Sequence, residues 1–154
     1  MTPEEKENER YQLALSVLEQ CEYAVLATVD SEGNPYCIPI SPACLNGAVY
    51  FHCGLRGQKL EYIRNRPQVC LTGAAHVRQV QDKYTMDFDS FVLHGTAEMI
   101  EDREEKIAAL RAISERYAPD RLDLFETIMA RSLDKTGICK ITPVKLTGRR
   151  KRAK

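Results

Sequence analysis

The apolar positions of this chain change period several times, and those changes outline its elements. From Pro3 to about Gln20, Tyr11, Leu15 and Leu18 with their neighbours Leu13, Ala14 and Val17 recur at helical spacing behind an acidic first turn, which predicts an amphipathic helix. At residue 22 the pattern shifts: EYAVLATVD (22–30) is β-branched and aromatic and is followed by the turn cluster SEGNP, so a strand and a hairpin turn are expected. YCIPISPACL (36–45) carries Pro39 and Pro42, which cannot donate to a ladder and point to a bulged or edge strand. Asn46-Gly47 supplies the two positive-φ positions of a type I′ turn and joins that strand to AVYFHC. A short helix after Gly57 ends at Pro67. VCLTGAAHV and SFVLHGTAEMI read as strands on either side of an exposed polar stretch, QVQDKYTMDFD.

Asp102 and Glu105 form an Asp-x-x-Glu capping pattern ahead of Ile107, Leu110, Ile113 and Tyr117, which predicts a helix over 102–117 ended by Ala118-Pro119. A second helix around 120–132 and a closing strand, GICKITPVKLTG, complete the chain. Strands that follow one another without a β-α-β rhythm make this an α+β fold built on an antiparallel barrel.

Composition narrows the class without naming a function. The chain has 154 residues, 44% of them hydrophobic and 29% charged, which suits one domain with a real core. No apolar run is long enough to span a membrane, and the acidic, polar MTPEEKENER is no signal peptide, so a soluble cytoplasmic protein is expected. Six cysteines lie far apart, with no C-x-x-C pair; they are read as reduced thiols, mostly buried in strands, and not as a zinc site. Acids and bases balance at 22 each, yet every acid lies at or before Asp134 while eight bases follow it. The terminal GRRKRAK either grips nucleic-acid phosphates or forms a solvated, frayed tail, and the lack of interleaved aromatics favours the tail. The expected organisation is one domain over 1–148 and a basic tail over 149–154.

One stretch carries candidate chemistry. YFHCGLRGQKLEYIRNRP (50–67) begins as a strand and ends as a helix, with a polar corner between. A strand end that turns through glycines into a helix start leaves several backbone N–H groups unpaired beside the positive end of the helix dipole. Gly54 and Gly57 permit close approach of backbone to a ligand, Arg56 and Lys59 add charge, and Gln58 adds an amide donor. The corner therefore suits an anion, a phosphate above all, although it is neither a Walker loop nor a G-x-G-x-x-G fingerprint.

The neighbouring motifs are more specific. Gly33, Pro35, Tyr36 and Pro39, then Tyr50, Phe51, His52, Gly57 and Lys59, then Asn65, Pro67, Val69 and Cys70 together resemble the FMN-binding split-barrel superfamily of the pyridoxamine 5′-phosphate oxidases. Within it they look most like the nitroimidazole-resistance branch, and DSFVLHGTA (89–97) is similar to a later strand of that family. The resemblance implies an antiparallel split β-barrel of Greek-key type with flanking helices, and FMN bound at a homodimer interface. It implies that Ile38, Pro39, Ile40 and Ser41 run along the flavin ring edge, that His52, Cys53 and Gly54 line the ring and ribityl chain, and that Gln58 and Lys59 meet the phosphate. Ser90 is the residue it would draw from the partner chain. Two departures stand out: Gly54 where the branch often has alanine, and Gln58 where a basic residue is common, with Arg56 close enough to substitute.

The remaining candidates receive less. His76 is read as structural or exposed and His94 as a weak interface candidate, while packing accounts for Cys53 as well as reactivity does. No acid–base pair or Ser-His-Asp arrangement is legible, so no catalytic residue is assigned; flavin chemistry needs none, because the ring carries the electrons. The expected activity is FMN-dependent reduction of a small electrophile such as a nitro-aromatic compound, with electrons from a reduced nicotinamide or another donor. The alternative is a non-catalytic protein that stores or senses FMN or haem; a deazaflavin is a third cofactor used among split-barrel relatives.

Overall fold

The computed structural model describes residues 1–154. Helix α1 (Pro3–Gln20) opens the chain with a complete capping box: the Thr2 hydroxyl accepts from the Glu5 N–H at 3.1 Å, and Glu5 Oε2 accepts from the Thr2 N–H at 2.6 Å. Strands β1 (Ala24–Val29) and β2 (Pro35–Ile40) follow as an antiparallel pair, and β3 (Ala43–Leu45) and β4 (Ala48–Cys53) as a second. Asn46 (φ 50°) and Gly47 (φ 76°) make the β3–β4 turn with both residues left-handed, as a type I′ turn requires. Then come α2 (Gln58–Asn65), β5 (Gln68–Val80), β6 (Thr85–Met99), α3 (Arg103–Tyr117), α4 (Phe125–Ser132) and β7 (Gly137–Lys151).

The seven strands form one antiparallel sheet in the order β2-β1-β5-β6-β7-β4-β3. Its two outermost strands, β2 and β3, are joined by only Ser41 and Pro42. In a flat sheet those edges would stand about 29 Å apart, whereas the link from Ile40 to Ala43 spans at most about 11 Å. The sheet must therefore roll until its edges meet, and the barrel follows from connectivity. Proline-rich 36–45 has the edge character expected of a bulged or edge strand, but it is not a single strand. It is two strands on opposite edges, broken at Pro42, which has no N–H to continue a ladder.

Leu26, Phe51, Leu71, Phe91, Leu93 and Ile141 fill the barrel core against Ala14, Val17 and Leu18 of α1. A second core, on the other face of β3 and β4, is built by Ala43, Tyr50 and Ile138 under Ala109, Leu110, Ile113 and Phe125 of α3 and α4. Asp102 caps α3 by accepting from the Glu105 N–H at 2.9 Å. The Glu105 carboxylate does not complete a box, because it accepts from the Tyr50 hydroxyl at 2.7 Å and pairs with Lys140 at 3.1 Å. The expected helix over 120–132 starts late, since 119–124 form a 3₁₀ turn with Arg121 out of helical geometry. All six cysteines are unpaired, and no helix is long and apolar enough to cross a membrane.

Two expectations are corrected at the far end of the barrel. QVQDKYTMDFD is exposed over most of its length as far as Met86, but it does not separate the strands: β5 and β6 continue through most of it and turn only at Gln81–Lys83, and Asp87 and Asp89 are buried. The basic end is not a frayed tail either, because β7 runs to Lys151, pairing Arg149 with Ser90, Arg150 with Asp89 and Lys151 with Phe88. Residue 148, the expected domain limit, is where β7 touches α1: a Cβ on Gly148 would lie 2.7 Å from Ala14 N and 2.8 Å from Arg10 O. Electrostatics closes this end. Asp89 is fully buried, and its carboxylate pairs with Arg150 (3.0 Å), Arg152 (3.0 Å) and His76 (2.8 Å). His76 reaches it from the bulge between Ala75 and Arg78, with φ at 55°. Asp87 accepts from Arg78 at 3.0 Å and from the Ala153 N–H at 2.7 Å.

Hydrogen bonds from Arg150 hold the Asp89 carboxyl well below the usual carboxylate range, against the opposing effect of its burial. A carboxyl whose folded value is depressed adds stability above its unfolded value near 3.8, and that stability is lost as pH falls through and below that value. Asp89→Asn is expected to cost about 1–2 kcal/mol at pH 7, the half-exposed partners rehydrating. Urea unfolding between pH 7 and pH 3 checks this: the gap between parent and variant should narrow as the solution is acidified.

Candidate functional site

The rolled sheet leaves a seam where its edges meet. β2 is paired only with β1, so the outer edge of Pro35–Ile40 carries no ladder. β4 pairs with β3 only as far as Tyr50, whereas its pairing with β7 continues through Phe51, His52 and Cys53. The last three residues of β4 thus have one open edge, facing the seam. The seam is bounded on one side by Ile38, Pro39, Ile40 and Ser41 and on the other by His52, Cys53 and Gly54.

The strand pleat decides which side chains face where. Val49 and Phe51 point into the barrel core and Ala48 and Tyr50 into the helical layer, so Cys53 continues the core face and His52 the other. Ile38 and Cys53 both pack, half-buried, against the barrel core from opposite sides of the seam, while His52 and Pro39 are exposed. The side chains of His52 and Cys53 therefore cannot line the same face of a ligand; only their main chains share the open edge. Ser41 is half-buried in the two-residue link.

Helix α2 stands at one end of the seam. It buries Leu60 and Ile63, and its Tyr62 ring packs edge-on against Tyr36 of β2, centroids 5.4 Å apart. The chain leaving β4 thereby crosses to β2. Gly57 precedes the helix at φ 143°, a conformation that disfavours any side chain. No side chain caps α2, and in its first turn only the Glu61 N–H finds a main-chain partner, the Gly57 carbonyl at 3.3 Å. The N–H groups of Gln58, Lys59 and Leu60 are thus available beside the half-buried Lys59 and the exposed Gln58 and Arg56. Burial pushes the Cys53 thiol up, with the Lys59 charge acting in the opposite sense. A thiol held protonated is a packing group and not a nucleophile. Burial likewise drives Cys139, across from Phe51, to about 12.

Ser90 is not part of this corner within the chain. It lies on β6 two positions from Val92, which the ladder sets level with Pro39 through Thr72 and Val25, and so stands three strands, about 14 Å across the sheet, from the β2 side of the seam. It lines a cleft of about 690 Å³ with Thr72, Gly73 and His76. No group of three or more His, Cys, Asp or Glu side chains could hold a metal ion. Sequence reasoning missed the Tyr36–Tyr62 contact, which seats the phosphate-type corner on β2; nothing local in either segment announces it. It also missed the partners of the late bases, for which the acids of DFD, unmatched in a supposed loop, were the available signal.

The chain is similar in structure to a candidate 5-nitroimidazole antibiotic resistance protein from Bacteroides thetaiotaomicron, at 29% identity and a TM-score of 0.77 over 89% of this chain and 81% of that one. A FAD and haem binding protein from Mycobacterium smegmatis matches at 19% identity and a TM-score of 0.77, over 94% of this chain and 72% of that one. A candidate pyridoxamine 5′-phosphate oxidase from Listeria innocua matches at 20% identity and a TM-score of 0.63, over 93% and 98%. These neighbours share the split-barrel fold. No curated protein matches in sequence. The family model described as pyridoxamine 5′-phosphate oxidase matches residues 12–150, which takes in every strand and almost all of β7. By that match the chain belongs to the pyridoxamine 5′-phosphate oxidase family.

Proposed function

We propose that this protein binds FMN at the seam and is an oxidoreductase that reduces a small electrophile, a nitroimidazole or related nitro-aromatic compound. One observation carries the reading: in a chain of this family, two unpaired strand edges meet an uncapped helix start that carries Lys59. The likeness to a candidate nitroimidazole-resistance protein supports the substrate class.

The residues present fit the group. Open main-chain donors and acceptors along Ile38, Pro39, Ile40 and Ser41 suit the amide-like edge of a flavin ring; Pro39 has only its carbonyl to offer. His52, Cys53 and Gly54 offer a second unpaired backbone edge for the ring and ribityl chain. A phosphate would be held by the free N–H groups at the start of α2, by Gln58 and by the Lys59 ammonium. Arg56, exposed and close in sequence, supplies the second charge that Gln58 lacks. When bound, the flavin would carry electrons from a reduced nicotinamide or another donor to the acceptor. The protein's own part is to orient the ring and exclude water from one face. Ser90 of the partner subunit would complete the site in a homodimer. Storage or sensing of FMN or haem without turnover is the competing reading, supported by the FAD and haem binding neighbour.

Adding FMN to the purified protein should shift the flavin absorption bands and quench flavin fluorescence. A Soret band in the protein as isolated would move the cofactor to haem, and a spectrum unchanged by FMN would defeat the flavin reading. Lys59→Ala should weaken FMN binding by about tenfold to a hundredfold while leaving the fold intact, the worth of one charge-assisted hydrogen bond. A fluorescence titration giving the parent's affinity would remove Lys59 from the phosphate site. With NADH and a 5-nitroimidazole, the FMN-loaded protein should consume both. Binding without consumption of any nitro-aromatic acceptor would favour storage.

A further inference from the structure

The Ser41–Pro42 link lies at the end of the seam, and two side chains from the end of α3 hold it. The Pro42 carbonyl accepts from Arg116 Nη1 at 2.7 Å and from the Tyr117 hydroxyl at 2.7 Å. The same Arg116 Nη1 donates to the Leu18 carbonyl at 2.9 Å, and Nη2 donates to the Cys21 carbonyl at 2.7 Å. One guanidinium thus ties three main-chain segments: the last turn of α1, the lead into β1, and the link between β2 and β3. The Leu18 carbonyl belongs to the final turn of a helix, where carbonyls lack intrahelical partners. Only a planar fork with several fixed donors satisfies three carbonyls at once; a lysine ammonium on a flexible stem would reach fewer of them in one pose. Burial pushes the Tyr117 hydroxyl up, so it remains a donor at neutral pH, and the Arg116 guanidinium lies 5.0 Å from the Tyr117 ring centroid.

None of this touches the seam directly. Ser41 precedes Pro42 in the chain, however, and Ile40 ends the open edge of β2, so the orientation of the Pro42 peptide fixes the last residues along which a ring edge would lie. We propose that Arg116 and Tyr117 are positioning residues for the cofactor edge, setting the Ser41–Pro42 geometry that lets β2 present its main chain and the Ser41 hydroxyl to the flavin ring. The assignment rests on the flavin reading above.

Three variants separate positioning from mere stability. Arg116→Lys keeps the charge and loses the fork; it should raise the FMN dissociation constant by about tenfold and move the visible bands of the bound flavin relative to the parent. Tyr117→Phe removes one donor and no volume from the core; it should fold as the parent does and move the same bands in the same direction by less. Leu110→Ala opens a cavity in the second core from the same helix; it should lower the melting temperature at least as much as either, with FMN affinity and bound spectrum unchanged. If both Arg116→Lys and Tyr117→Phe bind FMN with the parent's affinity and spectrum, the positioning role is overturned. It is overturned also if Leu110→Ala weakens FMN and shifts its bands as they do, since the effect would then follow stability. A parent that takes up no FMN defeats the flavin reading itself, a failure visible before any variant is compared.

Discussion

The two-residue link between the outermost strands is the constraint from which the rest of this structure follows. A seven-stranded sheet whose edges must meet across Ser41 and Pro42 has no flat solution. Rolling it creates an interior for Phe51, Leu71, Phe91 and Leu93, and α1 packs over β5, β6 and β7, its backbone close enough to β7 that Gly148 admits no side chain. The same closure is incomplete, because proline at position 42 cannot continue the β3–β4 ladder toward β2. An open seam is the by-product of a closed barrel.

That seam joins two features that are ordinary when taken apart. Unpaired strand edges are a liability, usually covered or charged, and an uncapped helix start leaves donors without acceptors. Here they lie together, and the Tyr36–Tyr62 contact keeps them together by seating α2 on β2. A long, flat ligand with an amide-like edge and a terminal phosphate satisfies both at once. In a chain of the pyridoxamine 5′-phosphate oxidase family, this complementarity supports the flavin reading more strongly than any single residue does.

Charge organises the opposite end. The acids of β6 and the bases of β7 run antiparallel in register, so that Asp89 meets Arg150 across the ladder and draws in Arg152 and His76 from either side. A buried carboxylate is tolerable only when its partners are this close. The even overall charge of the chain conceals this arrangement, in which three of the eight late bases, Lys140, Arg150 and Arg152, pair with acids of the same chain.

Much of the local structure was determined by the sequence alone. The Thr2–Glu5 capping box, the Asn46-Gly47 turn, the α3 N-cap at Asp102 and the glycine corner before α2 are each set by contacts within a few residues, and local chemistry is what a sequence displays. The spaced motifs from Gly33 to Cys70 carried the family as well. Tertiary structure alone decided that 36–45 divides between opposite edges, that the basic end is a strand, and that Cys53 rather than His52 takes the barrel-core face at the seam. Tertiary structure also chose the partners of Asp89 and Arg116, groups 61 and 74 residues distant among them. The reason is physical: periodicity reports which face of an element is buried, but not which distant element buries it, and ion pairs and carbonyl anchors between such elements exist only once the barrel has closed.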